Sequence, residues 1–383
     1  MSAARAFRLP LSLVASALAL LLASLLLLPA CRSIGGGGVS VDDESAAFEV
    51  LEPLVEARGV SGHERPVRDA LRARLLRLDP AWNPEIDPAG NLVLTLGSGE
   101  RTLLFVAHMD EIGLQVKAIR PDGLLECDKL GGLHDHLFQA TAIELVTTGG
   151  VLPGIALPPP PEVEAGAEPR APFLLDVGAR NADEAEAIGV AVGDVATVPK
   201  ELQRLGAHRA AGRSNDDRVG CAALLLALAR IDVEHLDRRL VFVWSVREET
   251  GLEGADVAAR TLRPVPETVF AVDTLVTSDS PREDPRFADV PLGGGPVLRA
   301  LDNSSMTPRD ALDRVRAIAR RHSLPLQTAV MGGGNDGSRW VPEGVIDCPL
   351  AWPQRNSHSR VETMDLRDLV DLAMLVAAVA QEY

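Results

Sequence analysis

Aromatic residues are scarce. They make up 3% of the 383 residues, with one Tyr and four Trp, too few to build the stacking surfaces on which proteins hold nucleobases or sugar rings. Positive charge is also in deficit: Lys and Arg total 38 against 54 Asp and Glu, a formal net charge of −16. No basic run interrupts that deficit, which argues against a nucleic-acid partner held through its phosphates. The four cysteines lack CxxC spacing, so neither a disulfide framework nor a Cys-rich zinc site is indicated. Cys127, Cys221 and Cys348 read as small core residues. What is abundant is apolar and charged residues in ordinary proportion, 46% and 24%, which excludes disordered, collagenous and coiled-coil chains and fits one or two globular domains.

The one long apolar run lies at the start. Residues 1–8 carry Arg5 and Arg8 with no acid, and Leu11 to Leu28 is a Leu/Ala stretch, together the n- and h-regions of a secretory signal. Its end, Leu28-Pro29-Ala30-Cys31, resembles a bacterial lipobox, in which a small residue precedes a cysteine whose thiol takes diacylglycerol. The expectation is a signal peptide over 1–30 and a lipid-anchored flexible tether over 31–47, with Gly35 to Gly38 as its loosest part. The alternative is an uncleaved membrane helix, because about 18 apolar residues sit at the threshold for spanning. Both readings take the protein out of the cytoplasm and onto a membrane.

Past the tether, Ser61-Gly-His-Glu64 has the form of a capping box, and Val67, Ala70, Leu71 and Leu75 follow at helical spacing, so a helix is expected over about 62–77. Leu103 to Ala107, Leu240 to Trp244 and Val269 to Val272 are short continuous apolar runs, the pattern of strands buried on both faces of a mainly parallel sheet. Val219 to Leu228 reads as a helix. Thr307-Pro308 opens another, with Leu312, Val315, Ile318 and Ala319 on one face, and Asp365 caps a last one. Strands alternating with helices imply an α/β fold, a three-layer α/β/α sandwich built from residues 48–112 and 207–383. Between them, residues 113–206 change texture. Leu114, Val116 and Ala118 alternate with polar residues, and no long helical pattern follows, so an inserted all-β, barrel-like domain is expected there. Pro158 to Pro161 and the Glu/Ala/Pro stretch to Pro172 cannot supply regular ladder donors and read as an exposed loop of the insert.

Five short signatures fall just past the expected strands or on turns, where open α/β sheets place their sites. His108-Met109-Asp110 puts a carboxylate two residues beyond an imidazole, able to hold its second ring nitrogen, although a lone HxD is most often a structural pair. In Gly212 to Gly220, before a helix, a carboxylate could bridge two cations, or Asp216 could simply cap that helix. Glu248-Glu249 sets two like charges side by side, which costs energy unless cations or solvent compensate. Asp273 follows a buried run directly and would sit at the sheet's carboxyl edge, and His358 lies in a polar loop. A turn residue and a solvated histidine are the plainer readings of those two. Together the five supply a His and carboxylate set suited to Zn²⁺, Co²⁺ or Mn²⁺. His134 and His136 would share a strand face and offer a further metal pair, though a polar surface pair is the simpler reading.

Ala107 to Gly113, the Asp216-Asp217-Arg218 turn, Glu248-Glu249-Thr-Gly, Asp273 and His358-Ser359 occur in the order seen in tetrahedral aminopeptidases, and the chain resembles that dinuclear-metal, glutamyl-aminopeptidase-like family from about Phe48 to the C-terminus. Gly59-Val-Ser-Gly62, Gly90-Asn91-Leu92, Gly332 to Asp336 and Val361-Glu362 through Asp368 extend the likeness. The resemblance implies that two divalent ions, Zn or Co, are held with Asp216 as the bridge. His108 and Asp273 would complete one coordination sphere, Glu249 and His358 the other. It further implies that Asp110 orients His108 and that Glu248 stays uncoordinated as general base, so that an N-terminal residue is hydrolysed from a peptide substrate. Relatives are often soluble dodecamers whose inserted β-domain takes part in assembly, so a homo-oligomer is compatible with it. The chain departs from them in its export signal, in the Pro158 to Pro161 loop, and at Asn335, Gly337 and Asn356.

Rival readings remain at this point. A metal-dependent amidohydrolase or carboxypeptidase shares the ligands. Some relatives carry endoglucanase names and glycosidases also work with two carboxylates, but the scarce aromatics and the ligand order oppose a sugar hydrolase. A surface-anchored binding protein that kept the fold and lost catalysis is opposed by the presence of every ligand and of Glu248.

Overall fold

The computed structural model describes residues 39–134, 138–158, 173–277 and 289–383. The signal segment, Cys31 and the first part of the tether, His136, and the loop from Pro159 to Pro172 lie outside the described residues. Among the described residues no helix is long and apolar enough to cross a membrane.

Ser40 begins the first helix, α1 (Val41–Glu56). Its hydroxyl accepts the Asp43 N–H at 3.2 Å while the Asp43 carboxylate accepts the Ser40 N–H at 3.3 Å, satisfying two donors that a helix start leaves open. Residues 41–47 are therefore helix, not tether: that reciprocal cap and the buried Ala47, Leu51 and Leu54 outweigh the entropy of a loose chain. The next helix, α2 (Arg65–Leu78), starts later than the sequence pattern suggests and has no side-chain cap. The Ser61 hydroxyl donates instead to Asp110 Oδ2 at 2.6 Å, and Glu64 Oε1 accepts the N–H of Gly62 at 2.7 Å and of Arg247 at 3.0 Å. Asp110 is fully buried, and a buried carboxylate without donors is costlier than an uncapped helix whose end meets water.

Strands β1 (Glu85–Ile86), β2 (Leu92–Leu96) and β3 (Thr102–His108) enter the main sheet before the chain leaves it. It then forms β4 (Gly113–Ile119), β5 (Leu125–Leu130), β6 (Thr141–Thr147), β7 (Gly150–Ala156), β8 (Phe173–Asp176), a short helix α3 (Ala182–Ala187) and β9 (Val195–Thr197). These strands close into a barrel in the order β4-β5-β8-β7-β6-β9 around Leu114, Val116, Leu125, Leu145, Leu175 and Ala196. The insert is not purely β: among its described residues α3 is a helix, which Asn181 starts by accepting the Glu184 N–H at 2.9 Å. Next come β10 (Gln203–Leu205) and β11 (Arg209–Gly212), which pair with each other rather than with the barrel.

The chain then returns through α4 (Asn215–Leu228), β12 (Arg239–Ser245), α5 (Glu253–Thr261), β13 (Thr268–Val276), β14 (Val297–Leu301), α6 (Arg309–Arg321) and β15 (Gln327–Val330). A 3₁₀ segment (Asp336–Glu343) precedes β16 (Ile346–Asp347), β17 (Leu350–Gln354), β18 (Glu362–Asp365) and α7 (Leu366–Glu382), the last capped by Asp365 as its sequence indicates. The main sheet runs β1-β2-β12-β3-β13-β17-β14-β15. Its centre, β12-β3-β13-β17, is parallel, and β2 and β14 run against their neighbours β12 and β17.

Period-two alternation explains the three layers. Leu103 and Phe105 of β3 join Leu240, Phe242 and Phe270 in a core covered by α1, α2, α4, α6 and α7, while Leu104 and Val106 face Val241, Val243, Ala255, Ala258 and Trp340 on the other side. Phe105 stacks between Phe242 and Phe270, with ring centroids 5.2 and 5.1 Å away, which locks the register of the three central strands.

Candidate metal centre

Parallel strands bring their carboxyl ends to one edge, and that geometry assembles the site. In register, Ser245 of β12 stands beside His108 of β3, so Glu248 and Glu249 just past β12 arrive next to the histidine. Asp273 comes from the neighbouring β13. Asp216 lies at a kink in the first turn of α4, with a non-helical backbone (φ −77°, ψ 106°), so it does not cap the helix. Asp217 does: its Oδ1 accepts the Gly220 N–H at 3.0 Å, and a Cβ at position 220 would lie 2.3 Å from Asp217 Oδ2, which requires glycine there. Relieved of capping, Asp216 presents both carboxylate oxygens to the site.

His108 Nε2 is 3.1 Å from Asp216 Oδ1, and His358 Nε2 is 3.7 Å from Asp216 Oδ2 and 3.4 Å from Glu249 Oε2. One carboxylate thus sits between two imidazoles. His108, Asp216 and Glu249 each offer a ligand atom within 4.8 Å of one another. Asp273 belongs to the same cavity wall but not to that trio; its Oδ2 is 3.3 Å from Arg299 and its Oδ1 accepts the Thr274 N–H at 2.6 Å. These groups, with Glu248, the loop Met331 to Gly334 and Ser357, line a cavity of about 790 Å³.

The second ring nitrogens are fixed by acceptors, which leaves Nε2 of each histidine as the free lone pair. His108 Nδ1 is 3.2 Å from the Asp110 carbonyl and 3.4 Å from its Oδ1, so main chain and side chain of Asp110 share the orienting task. The Asp110 carboxylate also accepts the N–H of Glu248 at 2.9 Å and of Glu249 at 3.2 Å, tying the two glutamates to the histidine strand. His358 Nδ1 lies 3.1 Å from the carbonyl of Gly132, a residue of the insert. A Cβ on Gly132 would fall 2.8 Å from that nitrogen, so the close approach demands glycine.

The electrostatics call for positive charge. Burial, with Asp216 adding to it and His358 opposing, pushes Glu249 up to about 8. Burial and the neighbouring Asp273, Asp336 and Glu249 raise Glu248 well above the carboxylate range, and burial with Asp216 raises Asp273 against the pull of Arg299. Asp336, reached by the Ser245 hydroxyl, is lifted by burial to about 7. A divalent cation among these oxygens would relieve both penalties, and imidazole nitrogen with carboxylate oxygen is the donor set that zinc and its first-row neighbours share. The residues fit such an ion.

His108, Asp216, Glu248, Glu249, Asp273 and His358 line this cavity, and Asp110 supports it through His108. His134 stands in a loop on the cavity wall and not on a strand, and His136 lies outside the described residues. Thr274, Arg299, Gly132 and Glu362 have no site role legible in the sequence, and Ser61 reads there as a helix cap. Only Ser61 and Glu362 carried a signal, within the Gly59 to Gly62 and Val361-Glu362 motifs.

Residues 90–375 match the model of the M42 glutamyl aminopeptidase family. The chain belongs to the M42 peptidases. It is a hydrolase acting on peptides, and this family membership carries metal-dependent aminopeptidase chemistry with it. The M42 chain is 32% identical over 346 residues to a lysyl aminopeptidase of Pyrococcus furiosus, covering 88% of this chain and 97% of that protein. Two solved structures share its fold. An aminopeptidase from Desulfurococcus kamchatkensis superposes with a TM-score of 0.82 at 30% identity, covering 89% of this chain and 96% of that one. The TET1 peptidase of Pyrococcus horikoshii, which assembles into a tetrahedron or a large octahedral shell, does so with a TM-score of 0.76 at 33% identity, covering 90% and 100%.

Proposed function

We propose that this M42 chain removes single residues from the free N-termini of peptides, using two divalent ions, zinc or cobalt, and Glu248 as general base. The observation that carries the reading is Asp216 set between His108 and His358, with Glu249 beside one imidazole and Asp273 on the same wall. His108, Asp216 and Asp273 would hold one ion, and Asp216, Glu249 and His358 the other. Ions held there lower the pKa of water and polarise the scissile carbonyl. Asp110 keeps His108 in the tautomer whose Nε2 faces the cavity and, through two backbone N–H groups, holds the Glu248-Glu249 pair in place. The Glu248 carboxylate takes the proton of the attacking water and returns it to the leaving amine. The cavity walls hold the peptide while this exchange occurs.

The test is amino-acid release from a panel of free and N-blocked peptides by the purified chain, before chelation, after it, and after Zn²⁺ or Co²⁺ is restored. Cleavage of free N-termini alone, lost and regained with the metal, is the expected result. Cleavage of blocked peptides would move the assignment to an amidohydrolase, and cleavage that survives complete chelation would end the metal reading.

We also propose export with a lipid at Cys31, supported by Arg5, Arg8, the Leu11 to Leu28 run and the Leu28 to Cys31 sequence. Cys31→Ser is expected to leave the precursor at full size in a cell fractionation. Unchanged processing and membrane association would refute lipidation.

A further inference from the structure

Glu362 is fully buried on β18, whose antiparallel pairing with β11 sets it opposite Gly212, close to the turn that carries Asp216. Its two carboxylate oxygens divide their work. Oε2 accepts the backbone N–H of Asp216 at 3.0 Å, and Oε1 accepts the backbone N–H of His358 at 3.1 Å. The same residue's carbonyl accepts Asn215 Nδ2 at 2.9 Å, and Arg213 lies 3.9 Å from Oε1 to balance the buried charge. Asp216 and His358 are separated by 142 positions in the chain, and one side chain bonds the backbone of both.

The His358 backbone needs such support. Its φ is +53°, and Asn356 two residues earlier has φ +60°, left-handed conformations that side-chain-bearing residues keep only where the surroundings hold them. The chemistry requires a carboxylate. Both oxygens of glutamate accept, whereas glutamine has one acceptor oxygen and would set its NH₂ against the other backbone N–H.

We propose that Glu362 is a positioning residue that sets the distance between Asp216 and His358, and so the affinity of the second ion of the pair. The inference rests on the two-metal reading above. In the full chain, Glu362→Gln is expected to weaken binding of that ion by about 10- to 100-fold, the usual cost of losing an outer partner of a metal ligand. Zinc titrated against a chromogenic chelator reads the affinity. The visible absorption of the Co²⁺-loaded chain reads the ligand geometry, which is expected to shift. At saturating metal kcat is expected to return to within a few-fold of wild type, because Glu248 and the cavity walls are untouched. Because bound metal also stabilises the fold, thermal unfolding of the metal-free variant near the wild-type midpoint is the readout that separates this from a loss of general stability.

Wild-type affinities and an unchanged Co²⁺ spectrum in the Gln variant would overturn the inference while leaving the two-metal reading intact. A wild-type chain that takes up neither ion would refute both together. Should the Gln chain fail to fold, Glu362→Asp keeps the charge and both acceptors one methylene short. Weakened metal binding in folded Glu362→Asp supports the role, and wild-type binding refutes it.

Discussion

Replacing Glu248 by Gln is expected to lower kcat by about 10²- to 10⁴-fold, or about 3–5 kcal/mol in the barrier, with metal content and KM near wild type. The separation follows from which part of the residue does what. Its backbone N–H holds the loop to Asp110 and survives the substitution, whereas the carboxylate that moves the proton does not. The pH profile sharpens the test. Burial and the nearby Asp273, Asp336 and Glu249 raise the Glu248 carboxyl well above its ordinary value, although bound cations would draw it back. A general base works ionised, so wild-type turnover falls as the pH drops through that raised pKa and recovers as it climbs. In the Gln variant this acid limb disappears from the residual rate. Steady-state kinetics across pH, with metal analysis of the same samples, gives both answers, and wild-type turnover in the variant would remove Glu248 from the mechanism.

Asp216→Asn is expected to have the other large effect, and on binding before catalysis. The carboxylate faces His108 Nε2 with one oxygen and His358 Nε2 with the other, and Thr274 donates to Oδ2 at 3.3 Å. Asparagine keeps the shape but replaces one of those oxygens by an NH₂ that cannot ligate. Loss should therefore exceed the roughly 10- to 100-fold that an outer partner costs, with at most one ion retained per chain after dialysis. Unlike Glu362→Gln, this variant is not expected to recover at saturating metal. Two ions bound at wild-type affinity would show that Asp216 is not the bridge.

These two substitutions also mark how far the residues could be read before folding. His108, Asp216, Glu249, Asp273 and His358 each have a plainer explanation when taken alone, a helix cap in the case of Asp216. Only the order of five motifs along the chain made them a set. The cap reading failed because Asp217, one residue on, satisfies the Gly220 N–H. Ser61 failed in the opposite sense. Its spacing to Glu64 is that of a reciprocal cap, yet a buried Asp110 carboxylate is the stronger claimant on its hydroxyl. Asn335 shows the same limit from another side: its amide donates to Asp302 at 2.8 Å and Asp347 at 3.1 Å, while its Oδ1 accepts the Gly337 N–H at 2.8 Å. A Cβ at position 337 would stand 2.2 Å from Asp347 Oδ1, so the close approach of that carboxylate requires glycine there.

What the sequence by itself determined is the layering. Runs such as Leu103 to Ala107 and Leu240 to Trp244 are apolar on every residue, so they had to be covered on both faces, and the alternating stretch from Leu114 had to form a separate sheet. The candidate ligands were legible too, through the order of their motifs along the chain. The tertiary structure alone decided their supports: the Gly132 carbonyl that turns His358, the Asp110 carbonyl that turns His108, and the Glu362 carboxylate that bonds the backbone of Asp216 and His358. Each of these contacts involves a main-chain atom that every residue carries, and those of Gly132 with His358 and of Glu362 with Asp216 join segments far apart in sequence, so only the folded backbone brings them within hydrogen-bond reach.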